Sequence, residues 1–315
     1  MSGLALILAN RGYSVSGSDQ RVNNSINTLI IKGIRIFKSQ AAKNIDTICS
    51  SHGSPFIIIS TAIPETNPEF RAAKNARLEI LHRSDLLASL INNQPSIVVG
   101  GSHGKTTTST IITTLLALNK KDPSAVIGGF VPLYKSNSHA GSGRFLVAEA
   151  DESDGTIIKF KGELGILTNL ELDHTNYYSN LRSLIKTMKK FNKNCNKFLA
   201  NYDCPTIRSN FKSSIWWSTI TKEKVSYAAI PISITGKETI ANFYENGHYV
   251  GEIKIPLPGL HNLNNVTGAI AACRLIGISF QNLKETVIKL EAPNRRFQFR
   301  GIWNKRQIVD DYAHH

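Results

Sequence analysis

The stretch 97-IVVGGSHGKTTTSTIITTLLAL-118 constrains the fold more than any other part of the chain. A β-branched run, a glycine-bearing turn and an apolar-periodic segment predict a buried strand that hands the chain to an amphipathic helix. Gly100, Gly101 and Gly104 let the backbone turn tightly, so that amides at the helix N-terminus point at an anion. Lys105 adds a full positive charge, and Thr106 or Thr107 offers a hydroxyl to Mg2+. The longer phosphate loop of common GTPases and ATPases would have glycine at position 99, where this chain has Val99. A shorter loop is expected.

The same grammar continues. Strands are predicted at 125-AVIGG-129, 144-RFLVAEA-150, 164-LGILTNL-170 and 197-KFLANYD-203. Apolar strands alternating with helices indicate a parallel sheet covered on both faces, whose carboxyl edge binds ligands. Three strand ends carry chemistry. The first is Lys105-Thr106. The second is 147-VAEADESD-154, where Glu149 is the first acid beyond 145-FLVA-148 and stands where Mg2+ is held directly or through water. Asp151, Glu152 and Asp154 are candidates to tune that site or to bind substrate. The third is 168-TNLELDHTNYY-178, where His174 beside Asp173 can take a second divalent ion.

From 214 to 258 the pattern changes to alternating β, and Asn246-Gly247 signals a type I′ hairpin. A helix over 262–277 follows, with Gly277 as its C-cap. His261 and Asn262 open it, and Asn265 lies three residues on, on the same face. Paired amides suit a nucleobase edge, since asparagine both donates and accepts, while helix capping by Asn262 is the competing role. Arg295 and Arg296 can clamp phosphates with planar forks. The last residues, 310-DDYAHH-315, group Asp311 and His314 among acids and histidines.

The first 88 residues form another βα series. It starts with an apolar helix at 4-LALILA-9 and a short strand at 13-YSVSGSD-19. A buried strand is expected at 55-PFIIISTAI-63, then a proline-led turn into a helix. In a dinucleotide-type fold a strand and glycine turn precede the first helix. Neither is present, so a fragment or a misassigned start is expected. The predicted fold class is α/β, with three parts. They are a truncated Rossmann-like domain (1–88), a central P-loop-type parallel-sheet phosphate-binding domain with a small antiparallel β extension (89–293), and the start of a C-terminal domain (294–315).

Composition excludes several classes. At 315 residues, 41% hydrophobic and 19% charged, the chain is of the globular type with room for two cores. No apolar run approaches the roughly 18 residues of a membrane span. The four cysteines form no C-x-x-C pair, so reduced thiols and the cytoplasm are expected. A net charge of +14 comes from scattered lysines without an arginine-rich arm. It suits an enzyme of polyphosphate ligands better than a nucleic-acid binder.

Six segments in order, 101-GSHGKTTT-108, 149-EADESD-154, 169-NLELDH-174, 259-GLHNLNN-265, 294-NRRFQ-298 and 310-DDYAHH-315, resemble the Mur ligases. These are ATP-dependent amide-bond-forming enzymes of peptidoglycan synthesis, and their phosphate loop is normally this short form. The resemblance covers essentially the whole chain. It implies ATP and Mg2+ as cofactors, with UDP-N-acetylmuramate and L-alanine as substrates joined through an acyl phosphate. It also implies that Gly101, Ser102, His103, Gly104, Lys105, Thr106 and Thr107 hold ATP phosphates, with Lys105 neutralising the β- and γ-phosphates. Thr106 or Thr107 with Glu149 would bind one Mg2+, and His174 a second. His261, Asn262 and Asn265 would face adenine. Arg295 or Arg296 and Asp311 would contact ATP, and His314 would lie near the amino acid. Ser18, Asp19, Ser60 and Thr61 would belong to the UDP-sugar region, through 16-SGSD-19 and 60-STAI-63 with 67-NPE-69. Two departures are Asn176, where an acid is expected, and Leu260, where a basic residue is common. Ser153, where a related ligase for a recycled tripeptide would have tyrosine, favours alanine. That ligase and an inactive nucleotide-binding remnant are the alternatives.

Overall fold

The computed structural model describes residues 1–21, 23–151, 155–172, 177–212, 215–291, 298–304 and 306–310. Contacts divide the chain into two compact units, Met1–Asn93 and Gln94–His315.

The first unit alternates short strands and helices. Helix α1 (Ser2–Asn10) buries Leu4 and Ile7, and β1 (Ser16–Ser18) follows. Helix α2 (Asn24–Ile31) starts where the Asn23 side chain accepts a hydrogen bond from the Ile26 amide, and leads to β2 (Arg35–Phe37). Ile26, Leu29 and Ile34 form a small core against Ala5, Leu6, Ala9, Val15 and Ile36. Next come α3 (Ala42–His52), β3 (Ile57–Ile59), α4 (Pro68–Asn75), β4 (Ile80–His82) and α5 (Arg83–Asn92). Helix α4 is set by local chemistry. Asn67 caps the amides of Glu69 and Phe70, and Pro68 occupies a first-turn position that has no hydrogen bond to lose.

Strand β3 is shorter and less buried than the apolar run 55–63 suggests. It pairs only with β4, its three residues are half-buried, and Phe56 is exposed. Ile63 donates to the Ser60 carbonyl and turns the chain away. Both strand pairs, β1–β2 and β3–β4, are parallel, as a βα series requires.

The second unit is built on a ten-stranded sheet. Its elements begin with β5 (Ser96–Gly100), α6 (Lys105–Leu118), β6 (Ser124–Val131), β7 (Ser136–His139), β8 (Leu146–Glu149) and β9 (Leu164–Leu167). They continue with α7 (Leu181–Asn194), β10 (Lys197–Asn201), α8 (Pro205–Asn210), β11 (Ile215–Ser218), β12 (Tyr227–Ile234), β13 (Thr239–Glu245) and β14 (His248–Ile255). Helices α9 (Leu260–Leu275) and α10 (Phe280–Val287) and a separate antiparallel pair, β15 (Gln298–Trp303) and β16 (Arg306–Asp310), complete it.

The sheet order is β14-β13-β12-β11-β10-β9-β5-β8-β6-β7, and every pair from β12 to β6 is parallel. Strand β5 lies between β8 and β9, so the chain changes direction across the sheet at the end of β5. Such a switch point opens a crevice at the carboxyl edge. Val99 pairs with Ile166 on one side and Glu149 on the other and is fully buried, so position 99 belongs to the strand and not to the loop. The antiparallel extension is continuous with this sheet through β12. At its hairpin, Asn246 and Gly247 have φ of 49° and 81°, as a type I′ turn demands.

Helix α6 departs from the amphipathic pattern. Every residue from Thr106 to Leu116 is buried, because β5, β6 and β8 cover one side while α9 and α10 cover another. Two of its hydroxyls bond back into the helix, Thr114 to the Thr110 carbonyl at 2.9 Å and Ser109 to that of Lys105 at 2.8 Å, while those of Thr110 and Thr113 are buried without a hydrogen-bond partner among the described residues.

Candidate active site

The loop between β5 and α6 is held by the segment after β9. The Ser102 amide donates to the Asn169 carbonyl at 3.2 Å, and the His103 amide to Asn169 Oδ1 at 2.6 Å. Thr168 Oγ1 donates to the His103 carbonyl at 2.5 Å. Ser102 Oγ donates to the Glu171 carbonyl at 2.8 Å and accepts from the Glu171 amide at 3.0 Å. Thr168 and Asn169 are thus structural partners of the loop that sequence reasoning did not single out. Their signal was their place just past a strand end, but only the sheet order reveals that this strand adjoins β5.

Gly104 is the N-cap of α6 with φ 79°, and a Cβ there would lie 2.6 Å from Asn265 Oδ1. Position 104 therefore needs glycine for both its backbone and its neighbour. Lys105 Nζ lies over the loop, donating to the carbonyls of Gly101 at 2.6 Å and Ser102 at 3.3 Å.

Glu149 ends β8 beside this helix start. Its carboxylate accepts from Thr106 Oγ1 at 2.9 Å and from the Gly128 amide at 2.7 Å. Of the two threonines considered for a metal, Thr106 is the one bonded to Glu149, while Thr107 is buried in the first turn of α6.

Helix α9 packs along α6. Asn265 Oδ1 accepts from Thr108 Oγ1 at 3.3 Å. Asn262 turns back instead, with Nδ2 donating to the Pro258 carbonyl at 2.8 Å, and His261 is exposed. Asn265 thus reaches the phosphate-loop helix while Asn262 secures the start of its own.

Asn264, off that face, anchors the helix to the sheet. Its Oδ1 accepts from Trp217 Nε1 at 3.2 Å and Asn201 Nδ2 at 3.1 Å, and its Nδ2 donates to Asp203 Oδ2 at 3.0 Å. Asp203 in turn accepts from Ser218 Oγ and from the Thr219 amide and hydroxyl.

His174, Arg295, Arg296, Asp311 and His314 lie outside the described residues, as do Glu152, Ser153, Asp154, Asp173 and Asn176. In the first unit, Ser18 and Asp19 stand at the carboxyl end of β1 and Ser60 and Thr61 at that of β3. Ser18 Oγ donates to Glu69 Oε2 at 2.5 Å, and Asn44 Nδ2 donates to Glu69 Oε1 at 2.6 Å. Asp19 Oδ1 accepts from the Arg21 amide at 2.9 Å.

Burial pushes the Cys195 thiol up to about 12 and raises Cys273 further, so both stay protonated. No described helix is long and apolar enough to cross a membrane.

Residues 1–95 match the family described as "Mur ligase family, catalytic domain", and residues 99–273 match its "Mur ligase middle domain". A UDP-N-acetylmuramate–L-alanine ligase of Prochlorococcus marinus is 58% identical over 316 residues, covering 100% of this chain and 65% of its own length. One from Synechococcus sp. is 55% identical over 317 residues, with shares of 100% and 65%. The chain thus spans about two thirds of the length of these curated relatives. The crystal structure of a UDP-N-acetylmuramate-alanine ligase from Thermotoga maritima superposes with a TM-score of 0.83 at 25% identity, covering 100% of this chain and 72% of that one. The chain belongs to the Mur ligase family.

Proposed function

We propose that this chain carries the nucleotide and UDP-sugar sites of an ATP-dependent ligase that joins L-alanine to the carboxylate of UDP-N-acetylmuramate, in peptidoglycan synthesis in the cytoplasm. The observation that supports it most is the Thr106–Glu149 hydrogen bond of 2.9 Å beside Lys105, at the helix start where β5 ends. Both substrates are named in relatives at 58% and 55% identity.

The donor set fits Mg2+. Thr106 and Glu149 supply two hard oxygens, and no cluster of three His, Cys, Asp or Glu side chains occurs among the described residues. Magnesium retains several waters and takes phosphate oxygens alongside one or two protein ligands, whereas zinc favours closed sets of nitrogen and sulfur. When bound, it would supply charge neutralisation at the β- and γ-phosphates.

The remaining work falls to the chain. Amides at the start of α6 face the phosphates, and Lys105 exchanges the Gly101 and Ser102 carbonyls for phosphate oxygens. A carboxylate oxygen of UDP-N-acetylmuramate attacks the γ-phosphorus, and ADP leaves. The L-alanine amine then attacks the acyl carbon, phosphate departs with that oxygen, and the nitrogen loses a proton. Asn265 braces Gly104 and, with His261 and Asn262, lies toward adenine. Ser18, Asp19, Ser60 and Thr61 serve the UDP-sugar. The family pattern places His174 at a second Mg2+, Arg295, Arg296 and Asp311 at ATP, and His314 near L-alanine.

The full gene product is expected to release phosphate from ATP only when UDP-N-acetylmuramate and L-alanine are both present. Release without the sugar nucleotide, or equal turnover with a tripeptide or another amino acid, would overturn the assignment.

A further inference from the structure

Glu149 does not hold its orientation alone. Strands β6 and β7 pair at Ala125↔His139 and Val126↔Ser138, and next at Val131↔Ser136. Residues 127–130 of β6 therefore stand opposite Asn137 alone. A bulge of this kind re-aims the backbone at a sheet edge. Here it delivers the Gly128 amide to Glu149 Oε2 at 2.7 Å, while Oε1 takes the Thr106 hydroxyl at 2.9 Å.

Both glycines are required by space and not by backbone angle, since neither has a positive φ. A Cβ at Gly128 would lie 3.0 Å from each Glu149 oxygen, and one at Gly129 would overlap Thr106 Cγ2. Two adjacent glycines thus clear the two side chains that make up the proposed metal site.

We propose that the Gly128-Gly129 bulge is a positioning element for a divalent cation: Gly128 orients the Glu149 carboxylate through its N–H, and Gly129 leaves room for the Thr106 γ-methyl. The inference rests on the reading of Thr106 and Glu149 as the Mg2+ site. The contacts of the two glycines are with Glu149 and Thr106, so their effect on the cation passes through those two side chains. A purely structural role would lower the unfolding midpoint and leave the Mn2+ affinity of the folded chain unchanged.

The test is equilibrium binding of Mn2+ to the 315-residue chain at saturating ADP, read from the paramagnetic resonance of free Mn2+. Gly129→Ala is expected to weaken binding about 10-fold. In a Thr106→Ser background, which keeps the hydroxyl and removes Cγ2, adding Gly129→Ala should change affinity by no more than about twofold. Gly128→Ala should weaken binding about 10-fold in both backgrounds, because its conflict is with Glu149. Wild-type affinity in both glycine variants would overturn the inference, as would a Gly129→Ala loss undiminished by Thr106→Ser. A Gly129→Ala chain that loses its far-ultraviolet dichroism would also count against it, since the effect would not be confined to the two side chains. Absence of Mn2+ binding by the wild-type chain would instead remove the metal reading itself, a result independent of the glycine variants.

Discussion

Gly104 and Lys105 are neighbours with separable duties. Gly104 is a conformational requirement: φ of 79° and a contact with Asn265 that leaves no room for a methyl group. An L-residue in that backbone region costs roughly 1–2 kcal/mol, and the crowding adds to it. Lys105 is a half-buried charge whose ammonium rests on the Gly101 and Ser102 carbonyls. Gly104→Ala is therefore expected to lower the unfolding midpoint and nucleotide affinity together. Lys105→Ala should lower the midpoint less than Gly104→Ala does while abolishing phosphate release, since it removes two loop hydrogen bonds and no backbone constraint. Thermal unfolding read alongside calorimetric ADP binding separates the two. Retained turnover in Lys105→Ala would contradict the phosphate-loop role.

At the scale of elements, α9 is positioned by side chains at the ends of two strands, β10 and β11. Asn264 bridges Trp217, Asn201 and Asp203, so its amide is engaged at both ends. Asn264→Ala should cost about 1–3 kcal/mol, because it strips partners from groups at the sheet edge. Asn264→Asp should cost more, by setting a second carboxylate against Asp203. Urea unfolding gives both values, and an Asp variant as stable as wild type would refute the network. This network also marks the limit of what the sequence discloses. The strands at 96–100 and 197–201, the Asn246-Gly247 hairpin and the helix ending before Gly277 are legible because their signals are local: apolar runs, turn residues, caps. Glu149 was legible as the first acid past an apolar strand. Asn264, Thr168, Asn169 and the Gly128 amide were not, since each acts across the sheet on a residue far away in the chain. The complete burial of α6 was hidden for the same reason. Thr106, Thr108 and Thr114 each find a separate partner, Glu149, Asn265 and the Thr110 carbonyl, and the helix lies under α9.

At the scale of the whole molecule, a net charge of +14 spread over the chain suits polyphosphate ligands in general. The family itself was readable because six motifs occur in a fixed order along the chain. Composition alone pointed nowhere so specific. In the proposed reaction the substrate carboxylate, and not water, receives the γ-phosphoryl group. Turnover of UDP-N-acetylmuramate labelled with oxygen-18 in its carboxylate tests it directly, using the full gene product with ATP, Mg2+ and L-alanine. An acyl phosphate predicts that each phosphate released carries one oxygen from the labelled carboxylate; phosphate free of label would contradict it.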